Sequence, residues 1–266
     1  YTNVQLIETL PRLGGGLVFS VTGIVTSSTS MTNAWKWDAA TPGVITFTTN
    51  PTSAVFGPDK LTITVTGFIS NADAAVRGVV FTNTVGLTYF DDGQFYSYTD
   101  LVTGRVKEPT LGIRKLVTPT QDVRADTLIT YTLLISHMRP SDATAYNLVI
   151  TDEIPSVLAY VADSLRVTAP TGVVVSTTIG NRLTITVSEY PTPSAPITIT
   201  YQATPTQLLE PSTVLTNTAF TRYTSRPTGG LYEEFERTGS GAGPNGYLTN
   251  TSAALTTAAV GVDKLP

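Results

Sequence analysis

The sequence predicts an all-β fold built of tandem antiparallel, immunoglobulin-like β-sandwiches, on three observations. Short runs such as Thr127 to Ser136 alternate apolar and polar residues, the period of a half-buried strand. Thr is the commonest residue, and with Val, Ile and Tyr it favours strand over helix. No segment makes a helix: runs such as Gln207 to Glu210 are too short, and Gly and Pro recur throughout.

Taken in order, the chain opens on NVQLIETLP at 3–11, followed by an exposed connection at Gly14 to Gly16. LTITVT from Leu61 and FTNT from Phe81 come next, then a second connection at Asp91 to Gly93. The stretch from Leu111 to Pro155 holds three strands, Leu111 to Val117, Thr127 to Ser136 and Ala145 to Thr151. Two turn clusters separate them, Thr118 to Asp126 and Met138 to Asp142, rich in Pro, Asp and Ser that fix turn dihedrals or bond their own backbone. Beyond them lie ITITYQ from Ile197, LTNT from Leu215, and a Gly- and Ser-rich exposed connection at Thr238 to Gly246.

These blocks repeat. NVQLIETLP matches NLVITDEIP at 147–155, pairing Asn3 with Asn147, Glu8 with Asp152 and Pro11 with Pro155 at one offset. LTITVT matches ITITYQ, FTNT matches LTNT, and GIRKL from Gly112 matches GVDKL from Gly261. The order of blocks is the same in both copies, and surface-loop insertions account for the drift in spacing. The chain therefore divides into 1–108, a repeat lacking its first two strands, 109–257, a complete repeat, and 258–266, the start of a third. A sandwich short of two strands has an unpaired edge and an open core, which invites strand addition by a neighbour.

The complete repeat combines Lys115 with Pro119 four residues on, the strand TYTLLIS, the run Pro140 to Thr144, the corner Thr151, Asp152, Ile154 and Pro155, and LTNTA at 215–219. On those residues it resembles the DUF11 repeat family, β-sandwich modules of large bacterial surface proteins, many of them isopeptide-forming fimbrial domains. Tyr223 to Pro227 and Glu236 to Gly241 resemble the longer form of the repeat. His137 and Arg139 depart from the Asn and Gly usual before the PSDA run.

The resemblance implies a crosslink among Lys115, Asp152 and Asn217, placed on adjoining strands of one sandwich. In such domains a buried Lys amine attacks the side-chain amide carbon of an Asn, ammonia leaves, and a nearby carboxyl moves the protons. Burial makes this feasible, because desolvation favours the neutral amine. Glu153 is a second candidate acid, but strand alternation lets only one of Asp152 and Glu153 face the core. Each residue also has an ordinary role: Lys115 snorkelling to solvent, Asp152 ordering the turn before Pro155, Asn217 bonding backbone. The first repeat retains Glu8 and Asn83 without a matching Lys, and Lys264 stands at the donor position of the third. Head-to-tail association would bring Lys264 of one copy to Asn83 and Glu8 of the next.

Composition sets the remaining bounds. The 266 residues are 41% hydrophobic and 14% charged, with net charge −4 and pI about 5.0, so there is no basic field for nucleic acid. Without cysteine the chain has neither disulfides nor thiolate metal ligands. No apolar run reaches the length of a membrane span, and Tyr1 starts neither a signal peptide nor a full translation product, which marks a mature, cleaved or windowed piece. His137 is the sole histidine, so a Ser/His/Asp triad and a multi-histidine metal site are poorly supported, and no metal or cofactor is expected. Glu233, Glu234 and Glu236 lack the spacing of a calcium loop. Trp35 and Trp37 share a strand face that could stack on sugars, and Asn250 begins a glycosylation sequon.

Within these bounds the resemblance implies an extracellular structural protein, a segment of a fibre, pilus-like filament, stalk or surface layer that self-associates and is not an enzyme. The alternative is an adhesin or carbohydrate-binding sandwich acting through exposed loops, with Trp35, Trp37 and Glu233 to Arg237 as contacts. A non-catalytic region of a secreted hydrolase is the third possibility.

Overall fold

The computed structural model describes residues 2–13, 16–17, 19–27, 35–49, 61–69, 75–173, 175–179, 182–206, 209–227 and 248–256. Every regular element among them is a β-strand, and all the sheet pairings are antiparallel. The chain forms two compact units, Tyr1–Lys107 and Glu108–Pro266.

The second unit is a two-sheet sandwich. Its strands are β10 (Leu111–Thr118), β11 (Ile129–His137), β12 (Ala145–Glu153), β13 (Leu158–Tyr160), β14 (Arg166–Thr168), β15 (Val175–Ile179), β16 (Arg182–Tyr190), β17 (Ile197–Pro205), β18 (Val214–Thr224) and β19 (Leu248–Thr256). One sheet runs β10-β11-β17-β13 with β14 also on β17, and the other runs β15-β16-β12-β18-β19. Period-two burial decides which side chains fill the space between them. Ile129, Tyr131, Leu133 and Ile135 of β11 face inward with Ile197, Ile199 and Tyr201 of β17, and across from them lie Leu148, Ile150, Leu183 and Ile185, all fully buried.

The first unit contains β1 (Thr2–Thr9), β2 (Arg12–Leu13), β3 (Gly16–Leu17), β4 (Phe19–Ser27), β5 (Trp35–Asp38), β6 (Val44–Thr49), β7 (Thr62–Ile69), β8 (Val80–Asp91) and β9 (Gln94–Arg105). Its main sheet, β5-β6-β1-β8-β9, repeats β15-β16-β12-β18-β19 strand for strand, and its β4-β7 pair repeats β14-β17. Backbone detail repeats too. Asn3 and Asn147 both have φ of 49°, and the register slips at both places, between Thr2 and Gln5 and between Tyr146 and Val149. A β-bulge needs a residue that tolerates the left-handed region, and Asn is among the few that do. The β8-β9 hairpin closes through Asp92 (φ 47°) and Gly93 (φ 78°), the positive pair a two-residue turn requires.

Several sequence boundaries shift. Gly16 belongs to the short β2-β3 hairpin and not to a connection. The strand expected from Thr127 begins at Ile129, because the Thr127 hydroxyl accepts from the Arg124 amide (2.8 Å) while the Thr127 amide donates to the Arg124 carbonyl (3.1 Å), holding it in the turn. The strand expected to end at Thr151 continues to Glu153, since Asp152 and Glu153 still pair with Leu183 and Arg182.

Candidate functional site

Lys115 lies fifth in an eight-residue strand, and alternation turns it inward with Leu111 and Val117 while Arg114 and Leu116 turn out. Lys115 is 4% exposed, Asp152 0% and Asn217 1%. Lys115 comes from the β10 sheet, whereas Asp152 on β12 and Asn217 on β18 come from the facing sheet. Asp152 pairs with Ala219, so Asn217, two residues away on β18, projects from the same face. Glu153, the alternate acid, points out, its side chain 70% exposed near Arg182.

The Lys115 ammonium contacts Asp152 Oδ2 directly. The Tyr201 hydroxyl donates to the same oxygen at 2.8 Å and accepts from Asn217 Nδ2 at 2.8 Å, linking the acid to the amide. Tyr131 and Tyr201, opposite each other on β11 and β17, stack at 5.2 Å, and the Lys115 nitrogen lies 4.9 Å and 5.8 Å from their ring centres. The cation thus meets two aromatic rings and one carboxylate inside an apolar core. Asn217 Oδ1, Asp152 Oδ1 and Tyr131 Oη are buried without a hydrogen-bond partner, an arrangement that costs free energy in a finished core.

Burial lowers the Lys115 amine from its usual 10.5 to about 8, with the charge and hydrogen bond of Asp152 opposing the fall. Burial also pushes the Tyr131 phenol up to about 12, and it raises Tyr201 further, aided by Asp152. Tyr201 therefore remains a proton donor to the carboxylate. The amine is close enough to neutrality to act as a nucleophile.

In the first unit, Asn83 Nδ2 on β8 donates directly to Glu8 Oε1 on β1, and Asn83 Oδ1 is buried without a partner. Lys264, with 257–266, lies outside the described residues, as do Glu233, Glu234 and Glu236. Trp35 and Trp37 sit in β5, and Trp37 is 56% exposed. Asn250 lies in β19 opposite Phe220. His137 ends β11 with Nδ1 2.7 Å from Ser141 Oγ and Nε2 3.1 Å from the Tyr190 carbonyl, its ring stacked on Tyr190. Burial lowers its pKa, opposed by backbone hydrogen bonds at Tyr190 and Pro191.

Sequence reasoning missed the two tyrosines. The signal was present, because Tyr131 and Tyr201 occupy inward positions of strands otherwise filled there by Ile, Leu and Ala, and a phenol hydroxyl set in such a core marks a polar site.

No family model matches the chain, and no curated protein matches it. Solved structures similar to it include BspA_C_WT, at TM-score 0.48 and 10% identity over 96% of this chain and 84% of that one. BcpA, the major pilin subunit of Bacillus cereus, is similar at TM-score 0.41 and 8% identity over 97% and 65%. The full-length major pilin SpaD from Corynebacterium diphtheriae is similar at TM-score 0.36 and 12% identity over 97% and 59%.

Proposed function

We propose that the chain is a load-bearing segment of an extracellular, surface-attached β-sandwich array, whose second unit is hardened by an amide bond between Lys115 and Asn217. The observation that carries this reading is the burial of a Lys, an acid and an Asn together in one core, with the amide linked to the acid through a tyrosine hydroxyl. A permanent ion pair in that position is a poor stabiliser, since desolvation offsets most of its attraction. A neutral amide bond removes both the cation and the need for a counter-ion.

In the proposed reaction Asp152 takes a proton from the Lys115 ammonium. The neutral Nζ attacks Cγ of Asn217, the Nζ–Cγ bond forms, and the Cγ–Nδ2 bond breaks. The second amine proton leaves through Asp152 and the Tyr201 hydroxyl to Nδ2, which departs as ammonia. One bond forms per molecule, so this is maturation and not turnover. Tyr201→Phe removes the relay and the bridge to Asn217. It is expected to slow bond formation during refolding of unlinked chain by about 10²-fold, the typical share of a positioned proton-transfer group, as followed by mass against time.

The attack needs the neutral amine, so its rate is expected to rise with pH up to about 8 and then level off. Stability gives a second reading of the same group. In an unlinked Asn217→Ala chain, the unfolded Lys115 holds its proton up to 10.5 while the folded one releases it near 8. Between those values the unfolded state binds more protons, so stability rises with pH, and urea midpoints from pH 7 to 10.5 measure it.

Mechanical loading tests the structural role. A bond from Lys115 to Asn217 bypasses about 100 residues, so stretching a single second unit should release about 350 Å less chain than its length allows at the extended span per residue. Asn217→Ala is expected to restore the full length. Full extension of the parent chain would refute the crosslinked array.

A further inference from the structure

The first unit has a cavity of about 680 Å³ where the second has a packed core. Its floor is made by β1 and β8, the strands that match β12 and β18. Glu8 and Asn83 line it at the positions of Asp152 and Asn217, and Tyr89 lines it at the position of Tyr223, whose hydroxyl accepts from the Leu111 amide (3.0 Å) at the start of β10. In the second unit the roof over these residues is β10 and β11. Among the described residues no strand of the first unit matches β10 or β11, and β7, the match of β17, pairs only with β4. The edge that β11 occupies on β17 therefore has no partner strand on β7 among the described residues.

Two polar features say what fits there. Glu8 lies in this apolar cavity with no cation paired to it among the described residues. Asn83 Oδ1 is buried and unbonded. The second unit needs Tyr201 to connect its acid and amide, whereas Val65 holds that position here and the extra methylene of Glu8 lets its carboxylate reach Asn83 directly. The acid and amide are already joined, and the missing partner is a lysine.

We propose that this groove is the receptor for a lysine-bearing β-hairpin of the β10-β11 pattern, and that it joins that hairpin covalently. The second strand of the hairpin extends that edge of β7. The first strand presents its lysine inward between two apolar residues, as Ile113 and Val117 flank Lys115. Glu8 takes one proton from the lysine ammonium and keeps it, the neutral Nζ bonds to Cγ of Asn83, the second amine proton passes to Nδ2, and the Cγ–Nδ2 bond breaks to release ammonia. This rests on the lysine–asparagine chemistry proposed for the second unit.

The test uses the full chain and an isotope-labelled synthetic peptide of residues 109–139, which holds the β10-β11 hairpin. The expected result is saturable one-to-one binding, followed by a denaturation-resistant adduct lighter than the sum by one ammonia. A digest would join the labelled Lys115 to Asn83. A peptide with Lys115→Arg is expected to bind without joining, and Asn83→Ala in the chain to abolish the adduct while retaining binding. Absence of binding overturns the proposal, and binding of the lysine peptide without an adduct overturns its covalent part. Chain multimers joined from Lys264 to Asn83 without peptide would assign the groove to 261–265 of a second copy and overturn the hairpin as occupant. The chain's own unlabelled Lys115–Asn217 peptides in the same digest show separately whether the second-unit chemistry holds.

Discussion

Weighed intact after denaturation, the chain is expected to fall short of its sequence mass by one ammonia, with the peptides containing Lys115 and Asn217 joined. Asn217→Ala removes the electrophile but leaves the contact between Lys115 and Asp152 in place, and its mass is expected to match its sequence. The stability difference between these two chains should be large. A bond from Lys115 to Asn217 closes a loop of about 100 residues, and on the chain-entropy account that loop is worth about 4 to 5 kcal/mol through the unfolded state. For a domain of this size, that corresponds to a loss of about 10 to 20 °C in Tm. Calorimetry of both chains at pH 7 checks the figure. A parent chain of full mass, with the two peptides free, would leave an unlinked sandwich and remove the chemistry from the proposal.

The β10 register explains why so much of this site was legible in the sequence. Lys115, Asp152 and Asn217 are polar residues at inward positions of alternating strands, and a resemblance built on those positions singles them out. The bulge at Asn147 was not legible, although it sets the phase by which Asp152 reaches the core, because one Asn inside a strand-forming run does not by itself mark a positive φ. Tyr201 was missed for a different reason: a tyrosine among Ile and Thr looks like packing until its hydroxyl is seen between an acid and an amide. In the first unit, sequence matching found β1, β7 and β8 through their close counterparts. It did not find β4 or β5, whose Gly23 and paired Trp have no equivalent in β14 or β15. The conserved strand order became visible only from pairing.

Asp152→Ala is expected to be more damaging than Asn217→Ala, although both prevent the bond. It leaves the Lys115 ammonium in a core of Tyr and Ile without its counter-ion and deprives the Tyr201 hydroxyl of its acceptor. Breaking a buried pair from one side costs about 3 to 5 kcal/mol, so at pH 7 this chain should lie about that far below Asn217→Ala in urea unfolding. The pH dependence separates a charge effect from a cavity. With Asp152 gone, nothing opposes the depression of the Lys115 amine, which then loses its proton below 8. Asp152→Ala should therefore gain stability with rising pH in a range where Asn217→Ala, whose amine titrates near 8, does not. A gap constant from pH 6 to 8 would point to packing alone. Replacing both charges, in Lys115→Met with Asp152→Leu, removes the unpaired cation and its counter-ion together and should recover most of the loss at pH 7 without restoring the bond. That recovery would show that the Lys–Asp pair is dispensable to the fold and is held in the core for the reaction it permits.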